Sequence, residues 1–191
     1  ESCQMELPAE YQFMDYGMDL YAPQSTLDAE GRRILTAWLR MPEPVNGKWQ
    51  GMMSIPRVVE VKGGRIYFRV HPNIQAAYTR EISVPSEADE SGYRVRFSLK
   101  DGEKVNIGGY VIYRSGNKIH TDRSNLYKVF PDHRVEFETP ELKDGFEIET
   151  YVNPNQISVF VNNGEAVITN TVYNLGENIE TDVELNIDTI E

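Results

Sequence analysis

The stretch from Asp15 to Arg57 concentrates residue types that bind sugars. Asp15 and Asp19 flank Gly17 in DYGMDLYAPQ, Trp38 ends the apolar run RILTAW, and KWQGMMSIPR brings in Trp49 and Arg57. Aromatic faces stack on the C–H-rich faces of sugar rings, and carboxylates accept hydrogen bonds from vicinal hydroxyls. As composition alone, the same residues read as core and turn: aromatics at strand ends usually pack inward, and Asp beside Gly usually marks a bend.

Other chemistries find little support. His71, His120 and His133 are far apart, with no i, i+4 pair and no cysteine to complete a site, so no metal is expected. No G-x-S-x-G elbow is present, and the glycines of NIGGY and VKGGR lack both the G-x-G-x-x-G pattern and a following helix. No cofactor is expected. Cys3 is the only cysteine, which leaves no disulfide framework and suits a reducing, cytoplasmic setting. With 19 basic and 30 acidic residues the formal charge is −11, which repels nucleic acid and anionic membrane alike. No apolar run approaches the roughly 20 residues that span a bilayer.

The elements that must position these residues are strands. GYRVRFSLKDG alternates Tyr93, Val95, Phe97 and Leu99 with Arg94, Arg96, Ser98 and Lys100, and GFEIETYV and DVELNIDTI repeat the pattern of a half-buried strand. Tight hairpins are expected at Gly63-Gly64 and at Asn162-Asn163-Gly164. PNIQAAYTREI is the one helical candidate, with Pro72 in its first turn. These signals divide the chain into a strand-rich block over residues 1–70, a linker with a short helix over 71–82, and an antiparallel β-sandwich over 83–191. PSEADESG, Pro85 to Gly92, reads as a solvated acidic loop.

Order and spacing add a resemblance. DYGMDLYAPQ, DAEGRRILTAW and WQGMMSIPR stand in the order of three linked motifs of glycoside hydrolase family 32, the β-fructosidases. IHTDRSN and ISVFVNNGEAVITNTVY resemble later motifs of that family, so that the likeness runs from Tyr11 to Tyr173. The resemblance implies an all-β protein in which an antiparallel β-sandwich follows the last part of a five-bladed β-propeller. It also implies a retaining glycosidase that works with a carboxylate nucleophile, a proton-donating acid and a third sugar-binding acid. Those three groups belong to N-D-P-N-G, E-C-P-D and R-D-P motifs, and none of these occurs here; ESCQ at Glu1 is only an echo of the second.

By that resemblance Asp19 and Trp38 are expected to contact a β-fructoside substrate. Tyr21, Gln24 and Arg57 are expected to support them, while the chain alone is expected to be catalytically silent. Met41 and Pro42 stand where the family often carries an aromatic residue of an outer subsite. A free-standing sandwich that binds carbohydrate or mediates assembly is the alternative. Self-association of the intact enzyme as a homodimer is expected from long strands with edges to cover. A first residue of Glu1 with no signal-peptide pattern implies a sequence that was cut or starts partway along a longer chain, which keeps a secreted parent open.

Overall fold

The structure, a computed structural model, describes residues 11–89 and 91–191. The ESCQ echo and the start of the first block lie outside the described residues. The first block folds into strands β1 (Leu20–Leu27), β2 (Arg33–Leu39), β3 (Met52–Met53), β4 (Arg57–Lys62) and β5 (Arg65–Val70). They form one antiparallel sheet in the order β1-β2-β4-β5, with β3 also paired to β2. The β1–β2 turn is closed by Asp28, whose Oδ1 accepts from the backbone N–H groups of Glu30 at 3.0 Å and Arg32 at 2.8 Å. This is the usual way a short acidic side chain stands in for a backbone acceptor.

Helix α1 (Pro72–Ala77) follows, with Pro72 in its first turn and Nδ1 of His71 accepting from the Asn73 N–H at 3.2 Å. Its last residue leads directly into β6 (Tyr78–Glu81), which pairs with the final strand of the chain. Residues 78–81 of the expected linker are therefore an edge strand of the following sheet.

The remaining strands are β7 (Tyr93–Ser98), β8 (Lys104–Ile107), β9 (Tyr110–Ser115), β10 (Lys118–Asp122), β11 (Glu136–Glu138), β12 (Glu147–Asn153), β13 (Gln156–Val161), β14 (Ala166–Thr171), β15 (Ile179–Glu180) and β16 (Asn186–Ile190). They build two antiparallel sheets, β11-β10-β9-β8-β15 and β14-β13-β12-β7-β16-β6. Val95, Ile107, Tyr110, Ile112, Ile119, Val159 and Ile168 fill the space between them, each at 0% exposure. This is the sandwich that the alternating pattern implied. Asn162, Asn163 and Gly164 take positive φ angles of 48°, 55° and 87° between β13 and β14, as the tight hairpin requires.

Alternation alone would leave one face of the six-stranded sheet in water. Instead, every residue of β13 and β14 is buried. Tyr151, Phe160 and Val167 on the outer face pack with Leu35, Phe68 and Val70 of the first sheet. The first block thus lies on the sandwich as a third layer. A second contact packs Met41 against Tyr127 and Tyr173. Among the described residues, no helix is long and apolar enough to cross a membrane.

Candidate functional site

Tyr21 and Trp38 face each other across the β1–β2 ladder as register partners, and their rings meet edge to face at 6.1 Å. Both remain open to solvent, at 54% and 39% exposure. The backbone fixes this pair at its edges. Ala22 has a left-handed φ of 48° and the register slips between Tyr21 and Gln24, so that a bulge re-aims the strand directly after Tyr21. Gly51 lies against the Trp38 indole so closely that a Cβ there would fall 1.9 Å from Nε1. The Arg40 guanidinium stands over the Tyr21 ring at 5.3 Å. Aromatic faces of this kind can stack on the C–H face of a sugar ring, and the Tyr21–Trp38 pair is called the platform.

Below the platform the chain runs along the edge of the sandwich. Tyr16 N–H donates to the Val167 carbonyl at 2.8 Å, and the Asn170 side-chain amide donates to the Gly17 carbonyl at 2.9 Å. A Cβ on Gly17 would sit 2.0 Å from the Thr169 carbonyl oxygen, so only glycine permits this approach. The two acids on either side form matching clamps. Asp15 accepts from Arg57 Nη2 at 2.6 Å, from the Gly17 N–H at 2.7 Å and from the Thr169 N–H at 2.9 Å. Asp19 accepts from Arg123 Nη1 at 2.5 Å and Nη2 at 3.1 Å, from the Thr171 N–H at 2.8 Å and from the Thr171 hydroxyl at 3.0 Å.

A carboxylate offers about four lone-pair sites, and Asp19 meets four donors. Three of these donors converge on Oδ2 and one on Oδ1, so Asp19 is tied into the chain while Oδ1 keeps acceptor capacity. Arg123 is itself sealed in: its side chain is 2% exposed, and its guanidinium lies over the Tyr127 ring at 3.9 Å. Tyr127 donates to or accepts from Thr171 Oγ1 at 2.5 Å, and burial pushes its phenol well above the usual range.

The sequence pattern of the glycosyl hydrolases family 32 N-terminal domain matches residues 1–72, and that of the family 32 C-terminal domain matches residues 58–187. The chain belongs to glycosyl hydrolase family 32. Sucrose-6-phosphate hydrolase of Vibrio alginolyticus is 28% identical over 180 residues, covering 83% of this chain and 36% of that protein. Raffinose invertase of Escherichia coli is 28% identical over 197 residues, covering 85% of this chain and 38% of that one. The chain thus spans little more than a third of the curated relatives it matches. The fold is similar to that of the sucrose-6-phosphate hydrolase from Lactobacillus gasseri, with a TM-score of 0.77 at 19% identity over 93% of this chain and 42% of that one. It is also similar to a Bombyx mori family 32 β-fructofuranosidase mutant solved with sucrose, with a TM-score of 0.71 at 17% identity over 94% and 42% of the two chains.

Within this family 32 chain, the motifs divide between turn, seam and platform. Asp28, Gly31 and Arg32 build the β1–β2 turn, where Arg32 Nε donates to Asp28 Oδ2 at 2.6 Å. Arg57 is fully buried and belongs to the seam, donating also to Thr169 Oγ1 at 2.7 Å and to the Met14 carbonyl at 3.0 Å. Gln24 is exposed on β1, opposite Thr36. Trp49 is 44% exposed and bridges to Val45. Met41 turns into the seam at 6% exposure, packed with Tyr127 and Tyr173.

Arg123, Thr169 and Thr171 were not singled out from the sequence. Their signal was present, because IHTDRSN carries Arg123 and AVITNT carries both threonines. The histidines stay apart: His71 Nε2 lies 3.3 Å from Asp28 Oδ2, and His120 stacks on Tyr113 at 4.8 Å. Among the described residues, no group of three or more His, Cys, Asp or Glu could hold a metal ion.

Proposed function

We propose that this chain carries the aromatic platform of a retaining β-fructofuranosidase-type glycosidase acting on sucrose, sucrose 6-phosphate or fructans, while the bond-breaking carboxylates lie outside its 191 residues. The observation that carries the reading is the Tyr21–Trp38 pair held in register across β1 and β2 inside a family 32 chain. Names among the relatives favour a sucrose-type substrate, since sucrose-6-phosphate hydrolases and a raffinose invertase share its sequence pattern. Residues 1–70 act as the closing part of the catalytic propeller and the sandwich as its support. Asp19 holds the seam beneath the platform through Oδ2, and its Oδ1, with one donor, is the atom left to accept from a sugar hydroxyl. Homodimerisation through the sandwich draws little from the strand edges: β6, β11 and β15 have four, three and two residues, and β14 is covered by the Asp15–Gly17 run.

The test is a titration of the ¹⁵N-labelled chain with sucrose and with sucrose 6-phosphate, following the Trp38 indole N–H. Saturable shifts centred on Trp38 and Tyr21 support the platform. Shifts confined to sandwich residues would move the function to a binding module, and none at Trp38 would remove the reading.

A further inference from the structure

We infer that Arg123 of the sandwich is a positioning residue for the Tyr21–Trp38 platform, acting through Asp19. The inference rests on the platform reading for its functional meaning, but its geometry stands on its own.

Met18 takes a left-handed φ of 63°, and there the chain leaves the sandwich edge to enter β1. Asp19 is the next residue, and it is bound in two directions. Its carboxylate is gripped by Arg123 and Thr171 on the sandwich. Its carbonyl accepts from the Arg40 N–H at 2.9 Å, which closes the β1–β2 ladder one step beyond the Leu20–Leu39 and Tyr21–Trp38 pairs. Arg40 also donates from Nη2 to the Met18 carbonyl at 3.2 Å while standing over the Tyr21 ring. A planar, always-charged fork that is buried and bonded on both its nitrogens sets a position more narrowly than a single contact does. The fork is fixed in turn, because Nη2 donates to the Arg134 carbonyl at 2.9 Å and Nη1 to the Thr171 carbonyl at 2.9 Å.

The Asp15–Arg57 clamp provides the internal comparison. Both of its members belong to the first block, Arg57 on β4 opposite Leu35 of β2, and they reach the sandwich through Thr169. Asp15 lies before the Met18 bend, is more buried than Asp19, and makes no bond to the β1–β2 ladder end. A purely structural role would make the two clamps equivalent for the platform. A positioning role makes only Arg123 matter.

The experiment uses the 191-residue chain in a Trp49→Phe background, which leaves Trp38 as the only tryptophan. Acrylamide quenching of Trp38 is measured for Arg123→Ala, Arg123→Lys and Arg57→Lys, with near-ultraviolet dichroism of the tyrosines reporting that the sandwich stays folded. Trp38 is 39% exposed now, so its release predicts a roughly twofold rise in the quenching constant for Arg123→Ala. Arg123→Lys, which keeps the charge and loses the fork, gives a smaller rise, and Arg57→Lys gives none. If Arg123→Ala unfolds the sandwich, the comparison of Arg123→Lys with Arg57→Lys decides alone. An unchanged constant in a folded Arg123 variant, or equal changes from both clamps, overturns the inference. A shift with Arg123→Ala in a chain whose Trp38 never responds to sugar upholds the positioning and removes the substrate reading.

Discussion

Arg123 and Asp19 stand 104 residues apart in the chain and share two N–H···O bonds, of 2.5 and 3.1 Å, across the seam between the first sheet and the sandwich. Four residues earlier, Asp15 pairs with Arg57 of the first sheet through a 2.6 Å bond between two side chains of 2% and 0% exposure. The Asp19–Arg123 pair joins the first block to the sandwich directly, while the Asp15–Arg57 pair lies within the first block and reaches the sandwich through Thr169.

The close approach at Gly17 makes the seam sensitive to a single methyl group. Gly17→Ala places a carbon 2.0 Å from the Thr169 carbonyl oxygen, and backbone on both sides must give way. The expected cost is roughly 2–3 kcal/mol, or a fall of about 5–10 °C in Tm for a chain of this size. Calorimetry of the variant checks it, and a Tm within a degree of the parent would contradict the contact.

Removing one member of the Asp15–Arg57 pair leaves the other charge buried, which costs roughly 3–5 kcal/mol. Asp15→Asn and Arg57→Met are each expected to lose stability on that scale. The double variant should lose clearly less than the sum, because the uncompensated charge is gone. Denaturant unfolding of the four proteins closes the cycle, and additive losses would show that the two groups are not coupled.

Asp28 gives the acid side of the stability curve its shape. Its partial burial opposes ionisation, but hydrogen bonds from the Arg32 side chain and backbone and from His71 outweigh it and hold the carboxyl down at about 2. A depressed folded value means that the unfolded chain takes up its proton first. The contribution is full above about pH 4, the ordinary range, and fades as pH falls toward 2. Asp28→Asn should flatten the dependence of Tm on pH between those limits while changing little of its slope above pH 5. An unchanged acid limb would exclude Asp28 as its source.

Much of this organisation was legible along the chain. The hairpins at Gly63-Gly64 and Asn162-Asn163-Gly164 and the helix at Pro72 are local decisions, fixed by which residues tolerate positive φ or start a helical turn. The family was legible because its motifs are linear. The partners of the acids were not. Asp19 beside Gly17 gives no sign of the arginine 104 residues away that grips it, and only the packed seam brings the two together. Tyr151 and Phe160 raise the same difficulty: alternation states which face they occupy, but not that a further sheet covers that face. The pairing of Trp38 with Tyr21 was not legible either, because it depends on the cross-strand register beside the bulge at Ala22.

The most direct measurement of the central claim is release of fructose from sucrose, sucrose 6-phosphate and short fructans by the pure chain. A retaining glycosidase without its nucleophile and proton donor loses several orders of magnitude in rate, so no release above the uncatalysed background is the predicted result. Robust turnover that follows the concentration of the chain would place a complete acid pair within these 191 residues and contradict the account.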